Sequence, residues 1–404
     1  MNSACKAKHI LAVALVASAC KTTAMAALVA ITPAAGLQCD VSNINNSGVT
    51  VGNCSTGNAA IPNQPWVAPT PGTAVILPRL APSQPCSVGV ISNAGWIAGE
   101  CGSPTGAQYG VTWDANDLGS GILRFNPRPG LIGLFPDVST RIAAMNQRGD
   151  VLGSSIDRSG DSTVVLWAAG TESPLDVSSA RDNCSGVDIS TPLGSGRPAA
   201  AINCPNSIGT QTGKIAQHNG LLYVATQLPT PAGALTCVVT GINNLLRVVG
   251  GCQYSTAPFL RAAFWASPNA APTSVPSLTT SSVSIATSLN NSGQVVVTYE
   301  DVNGNISSAF WDTTAGTVTA IAAFTSGVGS SGVALADNGT VLVIGANSQT
   351  DTESATWTAA TGLQSFGFYN SGKNTSIGAI SQDGSKIAGS AEDSTQTNIA
   401  VRVQ

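Results

Sequence analysis

Residues Cys86 to Cys101 read CSVGVISNAGWIAGEC. An apolar run leads into Ser92-Asn93-Ala94-Gly95, and a second apolar run returns to a cysteine. Asn and Gly tolerate the backbone of tight hairpin turns, so the stretch predicts two short antiparallel strands. The unit also occurs at Cys39 to Cys54 (CDVSNINNSGVTVGNC) and at Cys237 to Cys252 (CVVTGINNLLRVVGGC), each time with fourteen residues between the cysteines. Copies without cysteines begin at Ala143 (AAMNQRGDVLGS), Ser288 (SLNNSGQVVVTY), Ala334 (ALADNGTVLVIG) and Ala379 (AISQDGSKIAGS). The fourth copy, Cys184 to Cys204, is the most degenerate and carries five extra residues around Thr191–Pro198.

The last turn position of the eight copies holds Gly48, Gly95, Gly149, Gly194, Leu246, Gly293, Gly339 and Gly384. The intervals run from 45 to 54 residues. A fixed period of this size signals a propeller, solenoid or array. Each copy reads as four strands. Strand A precedes the turn and strand B follows it. Strand C ends near Trp66, Trp113, Trp167, Trp265, Trp311 or Trp357, and a weak strand D follows, as at Val75–Leu80, Leu131–Phe135, Val318–Phe324 and Leu363–Tyr369. No window after Leu37 has a convincing helical period. The expectation is an all-β chain, a β-propeller of about eight four-stranded blades; seven blades or an open β-solenoid are the alternatives. The eighth copy lacks a strand D, whereas an unassigned apolar segment, Ala27–Thr32, precedes the first copy. Pairing the two closes a ring and hides the sheet edges an open array exposes. The whole of 27–404 is therefore read as one domain closed by an N-terminal strand.

Residues 1–26 read as a secretory signal: Lys6 and Lys8, the apolar Ile10–Ala19, then Ala24-Met25-Ala26 as a cleavage site. The alternative is lipidation at Cys20, in Val16-Ala17-Ser18-Ala19-Cys20, which would anchor the chain at the outer membrane. Eight cysteines remain, in within-repeat pairs: Cys39/Cys54, Cys86/Cys101, Cys184/Cys204 and Cys237/Cys252. In three of these the midpoint falls on the Asn-bearing turn, so the cysteines face each other at disulfide distance. Zinc, which favours four converging ligands and short Cys-x-x-Cys spacing, does not fit. The chain is thus expected to be secreted or periplasmic, in an oxidising compartment.

Charged residues make up only 9% of the chain. Without residues 1–26, 14 positive side chains face 21 negative ones, a net of −7. With no basic patch, nucleic acid is not an expected partner. An extracellular protein or a glycan is, with a membrane only through Cys20, and the chain is expected to be a monomer.

Side chains for catalysis are scarce. After the signal the only histidine is His218, in Gln217-His218-Asn219-Gly220, and no serine sits in a Gly-x-Ser-x-Gly elbow. Carboxylates are more plentiful: Asp40, Glu100, Asp114, Asp117, Asp188, Glu300 and Asp301, with Asp337 and Asp383 in A–B turns. Two of them at a suitable separation would serve a glycosidase. No cofactor is expected beyond a minor calcium alternative at Asp157/Asp161 or Asp301/Asn305, where alternating oxygens surround a glycine. The repeat-position Trp residues are expected to pack between blades. A–B and C–D loops emerge on one face, and the longest departures from the repeat are assigned to them: Thr191–Pro198, Asp114–Gly130 and Ala266–Pro272. The candidate ligand face comprises Arg124, Phe125, Arg128 and Arg197.

Arg261-Ala262-Ala263-Phe264-Trp265 and Ser308-Ala309-Phe310-Trp311, with Asn290-Asn291-Ser292-Gly293-Gln294-Val295-Val296-Val297, resemble the repeat of the bacterial extracellular HAF family. That unit combines Asn-x-x-Gly-x-Val-Val-Gly with His-Ala-Phe and a nearby Trp. The resemblance covers nearly all of 39–404, although the His is absent from every copy here. It implies an exported, propeller-like repeat protein of bacterial type and carries no catalytic residues. Three readings follow: a binding or interaction module, a carbohydrate-active enzyme (hydrolase or lyase) using carboxylates, and a structural cell-envelope component.

Overall fold

The computed structural model describes residues 27–31, 37–55, 63–69, 73–130, 135–207, 209–256, 258–276, 283–300, 303–325 and 328–404. The signal segment, Cys20 and Asp301 lie outside them. The described residues form eight four-stranded antiparallel sheets arranged as a ring, an eight-bladed β-propeller. Their one helix is the 3-10 turn Leu118–Ser120. The second blade is typical: strand A is Cys86–Ile91, B is Trp96–Gly102, C is Gln108–Asp114 and D is Leu123–Arg124. The degenerate fourth copy is a true blade, Ser185–Ile189, Ala200–Pro205, Gln211–His218 and Tyr223–Gln227, so the seven-bladed and solenoid alternatives fall.

The eighth blade has Thr375–Ile380, Ile387–Glu392 and Asn398–Val403 as A, B and C. Its fourth strand is Leu28–Ala30, which runs antiparallel to strand C with Leu28 opposite Val403 and Ala30 opposite Val401. Ala27 adds a carbonyl bond to the Gln404 amide at 3.0 Å. The first and last segments of the chain thus share one sheet, and the ring has no unpaired end.

Each A strand carries a register shift, as between Val41 and Asn43, Val88 and Val90, and Ile142 and Ala144. The bulge presses a strand A carbonyl against strand B, which explains the glycine that recurs there. A Cβ on Gly153 would lie 2.0 Å from the Arg141 carbonyl oxygen and 2.9 Å from the Trp167 ring. Strand C then uses the two-residue alternation of a strand. Trp113, Trp167 and Trp265 are fully buried, and their indole N–H groups donate to carbonyls of the preceding blade at Pro78, Asn126 and Pro229. Where strand C reads Phe-Trp, the Phe points the other way, onto the next blade's Trp: Phe264 meets Trp311 and Phe310 meets Trp357, with ring centroids 5.8 and 5.3 Å apart. The tryptophans are therefore interblade core, as expected.

The four cysteine pairs are disulfides: Cys39–Cys54, Cys86–Cys101, Cys184–Cys204 and Cys237–Cys252. Each ties strand A to strand B within one blade. Four such bonds fit an oxidising compartment. Among the described residues, no helix is long and apolar enough to cross a membrane.

Two expectations need correction. Strand D of the second blade is Leu123–Arg124, because the chain returns after a short 3-10 turn; the expected Leu131–Phe135 falls almost wholly outside the described residues. Trp66 stands two residues before the common Trp register, which in the first blade holds Ala68 opposite Thr50.

Two outcomes test this account. Deleting residues 27–31 should expose the edge of the last blade, lower the melting temperature and cause aggregation. An unchanged thermal transition would count against closure by this strand. Gly153→Ala should cost about 2–3 kcal/mol in urea unfolding, because backbone and an indole occupy the new methyl's space.

Candidate functional site

The A–B turns gather at one end of the ring axis. In the first turn Asn45 Oδ1 accepts the N–H groups of Ser47 and Val49, so the side chain completes its own hairpin. The N–H of the next residue, Asn46, has no acceptor in that hairpin. It donates to Asn93 Oδ1 of the second blade at 2.9 Å. The pattern runs on: Asn93 N–H to Gln147 Oε1, Gln147 N–H to Thr191 Oγ1, Thr191 N–H to Asn244 Oδ1, Asn244 N–H to Asn291 Oδ1, and Asn291 N–H to Asp337 Oδ1. Asp337 N–H donates to the Gln382 carbonyl at 2.7 Å, and Asp383 N–H returns to Asn46 Oδ1 at 3.2 Å. The circuit passes through all eight blades. Asn93 Nδ2 also reaches across to Gln382 Oε1 at 3.1 Å, narrowing the axial opening.

Behind this rim lies a polar cavity of about 160 Å³ lined from six blades, including Asp188, Asp337, Asn146, Asn243 and Asn290. Asp188 accepts the N–H groups of Ile189 at 2.8 Å and Ile242 at 2.9 Å. It is half-buried at this narrow cavity, and burial pushes its carboxyl up to about 6 against those two hydrogen bonds. Asp337 uses both oxygens on Asn291. A space of this size holds roughly five waters at about 30 Å³ each. It lies below the roughly 300 Å³ at which small-molecule pockets begin.

Glu100, Asp40, Asp114 and Asp383, also named from the sequence, serve the scaffold. Glu100 pairs with Arg141 at 2.6 Å and accepts the Ile142 N–H. Asp40 accepts the Asn53 N–H, Asp114 the Asn116 N–H, and Asp383 the Ser385 N–H. At the calcium alternative, Asp157 Oδ1 takes the Ser159 and Asp161 N–H groups, while Oδ2 pairs with Arg181 at 2.9 Å. Both oxygens are thus engaged in a hairpin turn. Asp182, Cys184 and Cys204 cluster closely enough for a metal, but the two sulfurs are in a disulfide.

The four residues assigned to one ligand face do not share it. Strand D begins at Leu123, so Arg124, Phe125 and Arg128 lie past the C–D loop, on the way to the opposite end of the blades. Phe125 is buried and stacks on Trp167 with centroids 4.7 Å apart, so it belongs to the core. Arg128 is held bidentately by Asp176, and these bonds raise its pKa further. Arg124 lies over the Tyr109 ring. Arg197 alone sits on the A–B face, exposed and without an ion-pair partner among the described residues.

Around Arg197 the face departs from the repeat. A cavity of about 260 Å³ lies between the fourth and fifth blades, lined by Pro192, Leu193, Arg197, His218, Asn244 and Leu246 among others. The inserted loop is pinned by Arg148, whose Nη1 donates to the Gly194 carbonyl at 3.0 Å. His218 Nδ1 accepts the Gly220 N–H at 3.1 Å, which leaves Nε2–H for a ligand. Leu193 and Leu221 are 87% and 82% exposed, and Leu222 and Leu245 are exposed on the same loops. Leu246 takes φ +59 where the seven other turns have glycine. A left-handed Leu is strained, and such strain concentrates at functional sites. Its only sequence signal was the absence of glycine from the fifth turn.

No family model matches this chain, and no curated protein matches it. Solved structures do. The β-propeller domain of the Trilobed protease from Pyrococcus furiosus, which reveals an open velcro topology, is 12% identical with a TM-score of 0.54, over 82% of this chain and 99% of that one. Oligopeptidase B from Leishmania major is 8% identical with a TM-score of 0.55, over 90% and 54%. A study of two prolyl endopeptidases describes a further match, 12% identical with a TM-score of 0.54, over 88% and 55%. This chain spans about half the length of the last two, and at these identities the likeness shows the fold alone.

The Asp188 carboxyl yields a pH prediction. Its folded pKa lies above the ordinary 3.8, so the folded state keeps the proton longer than the unfolded state. The favourable contribution is present below pH 4 and is lost as pH rises towards 6. Asp188→Asn removes this titration. Between pH 4.5 and 7.5 its stability relative to the parent should rise by about 2 kcal/mol in urea melts.

Proposed function

We propose that this chain is an exported β-propeller binding module, in the periplasm or secreted, whose ligand face is the A–B loop surface over the fourth and fifth blades. The partner we favour is an extracellular protein presenting an apolar segment with a carboxylate. The observation that carries this reading is the clustering, on two neighbouring blades, of exposed leucines, an unpaired Arg197, the strained Leu246 and a pinned insertion. Isolated surface leucines are ordinary, but several on adjoining loops beside a cavity mark an interaction site. Aliphatic rather than aromatic side chains line this surface, which favours a protein over a glycan, since sugar rings stack on aromatic faces. The peptidase matches share only the fold, and function resides in sites grafted on folds. The four disulfides, the signal-like segment 1–26 and the resemblance to HAF repeats support export.

The enzyme reading has less support. The carboxylates of the axial cavity are tied to backbone and side-chain donors, and the space behind the rim is small.

The test uses the purified disulfide-bonded protein on a glycan array and a peptide array that varies apolar and acidic content. Apolar–acidic peptides should bind. Leu193→Asp with Leu245→Asp, and separately Arg197→Glu, should weaken binding by at least about tenfold with little change in stability, since these side chains are exposed. Peptide binding untouched by these changes, or binding to glycans alone, would overturn the reading.

A further inference from the structure

The seam between the last and first blades departs from the commonest arrangement of the ring. In the second, third, fifth, sixth and seventh blades, Ile97, Val151, Val248, Val295 and Val341 stand opposite a Trp of strand C. The first blade has Ala68 there, opposite Thr50, and Trp66 fills the interface two residues farther along. At the turn end of this seam lies a cavity of about 590 Å³. Val29, Ile31 and Ile44 form apolar walls, and among the described residues Lys386 and Arg402 are the only charged side chains lining it.

Neither cation has a carboxylate within ion-pair distance among the described residues. Arg402 reaches across the seam, where Nε donates to Thr50 Oγ1 at 2.8 Å and Nη2 to the Ala68 carbonyl at 2.9 Å. Burial without a counter-charge lowers its pKa. Asp383, three residues before Lys386, spends its carboxylate on Ser381 and Ser385. Withdrawing charge from water is costly unless an opposite charge meets it. In a chain with 9% charged residues, a half-buried arginine without a counter-charge and an exposed lysine beside one apolar cavity define the chemistry of what completes it. The volume falls within the range of about 300–1,000 Å³ typical of small-molecule sites.

We propose that this seam cavity binds a free amphipathic monocarboxylate, its hydrocarbon chain against the Ile and Val walls and its carboxylate at Lys386 and Arg402. The site is separate from the face over the fourth and fifth blades, so either assignment can fail without the other.

Isothermal titration of the disulfide-bonded protein with decanoate tests it. Decanoate should bind at one site per chain, with decanol and decyltrimethylammonium at least about tenfold weaker. Lys386→Met keeps the aliphatic stem that packs beside Gly48 and removes the charge, so it should weaken decanoate by about five- to tenfold with the thermal transition unchanged. Val29→Phe, on the closing strand and on the same sheet face as Arg402, fills the cavity and should abolish binding. Absence of saturable decanoate binding, equal affinity for decanol, full affinity in Lys386→Met, or association only with phosphatidylglycerol vesicles would overturn the proposal.

Discussion

In the first seven A–B turns the backbone N–H of the second residue has no acceptor within its own hairpin. The first turn residue completes the hairpin, as Asn243 does by accepting from Leu245 and Arg247. The second N–H must go elsewhere, and an unmet buried donor costs about 1–3 kcal/mol. These seven turns give it to the next blade, the eighth donates from its third residue, Asp383, and each turn offers an oxygen to the blade before. A single blade therefore leaves a donor and an acceptor open, and so would any open row of blades. Only a closed circuit satisfies every member, and the bond from Asp383 to Asn46 closes it.

Farther from the axis, packing imposes the same demand. Strand B glycines let the bulged strand A approach, and that approach makes room for an indole from strand C. In the second, third and fifth blades the indole bonds to the preceding blade, and where a Phe precedes it, the next blade's Trp receives that Phe. Both faces of each blade are thus consumed by neighbours. The outer rim is closed by covalent continuity instead: three residues near the N-terminus supply the strand the last repeat lacks, and Arg402 bonds the seam to the first blade.

The two functional proposals both fall where this regularity breaks. A ring of equivalent blades offers equivalent surfaces, and specificity needs a local difference. At the fourth and fifth blades the difference is an insertion and a turn with Leu for Gly. At the seam it is a displaced indole and an arginine with no anion among the described residues. The axial cavity, by contrast, is regular, polar and spent on its own hydrogen bonds.

The sequence by itself determined the strand count, the turn positions, the cysteine pairing and the candidate closing strand. These depend on local spacing: antiparallel neighbours pair about a turn, so residues equidistant from that turn must meet. It also placed the tryptophans in the interblade core, since their period matched the repeat. Tertiary structure alone decided which groups share a surface. Arg124, Phe125 and Arg128 looked like loop residues because a two-residue strand D leaves almost no sequence signal; once that strand is in place, they pass to the other end of the blade and Phe125 enters the core. The turn Asn residues read as hairpin formers, and that is half their role, because the acceptors for the neighbouring N–H groups lie 44 to 54 residues away. Asp188 read as one carboxylate among many, and its raised pKa arises from the blades that enclose it. The seam cavity joins residues more than 370 positions apart, Val29 and Val403 among them, and no local pattern records that they meet.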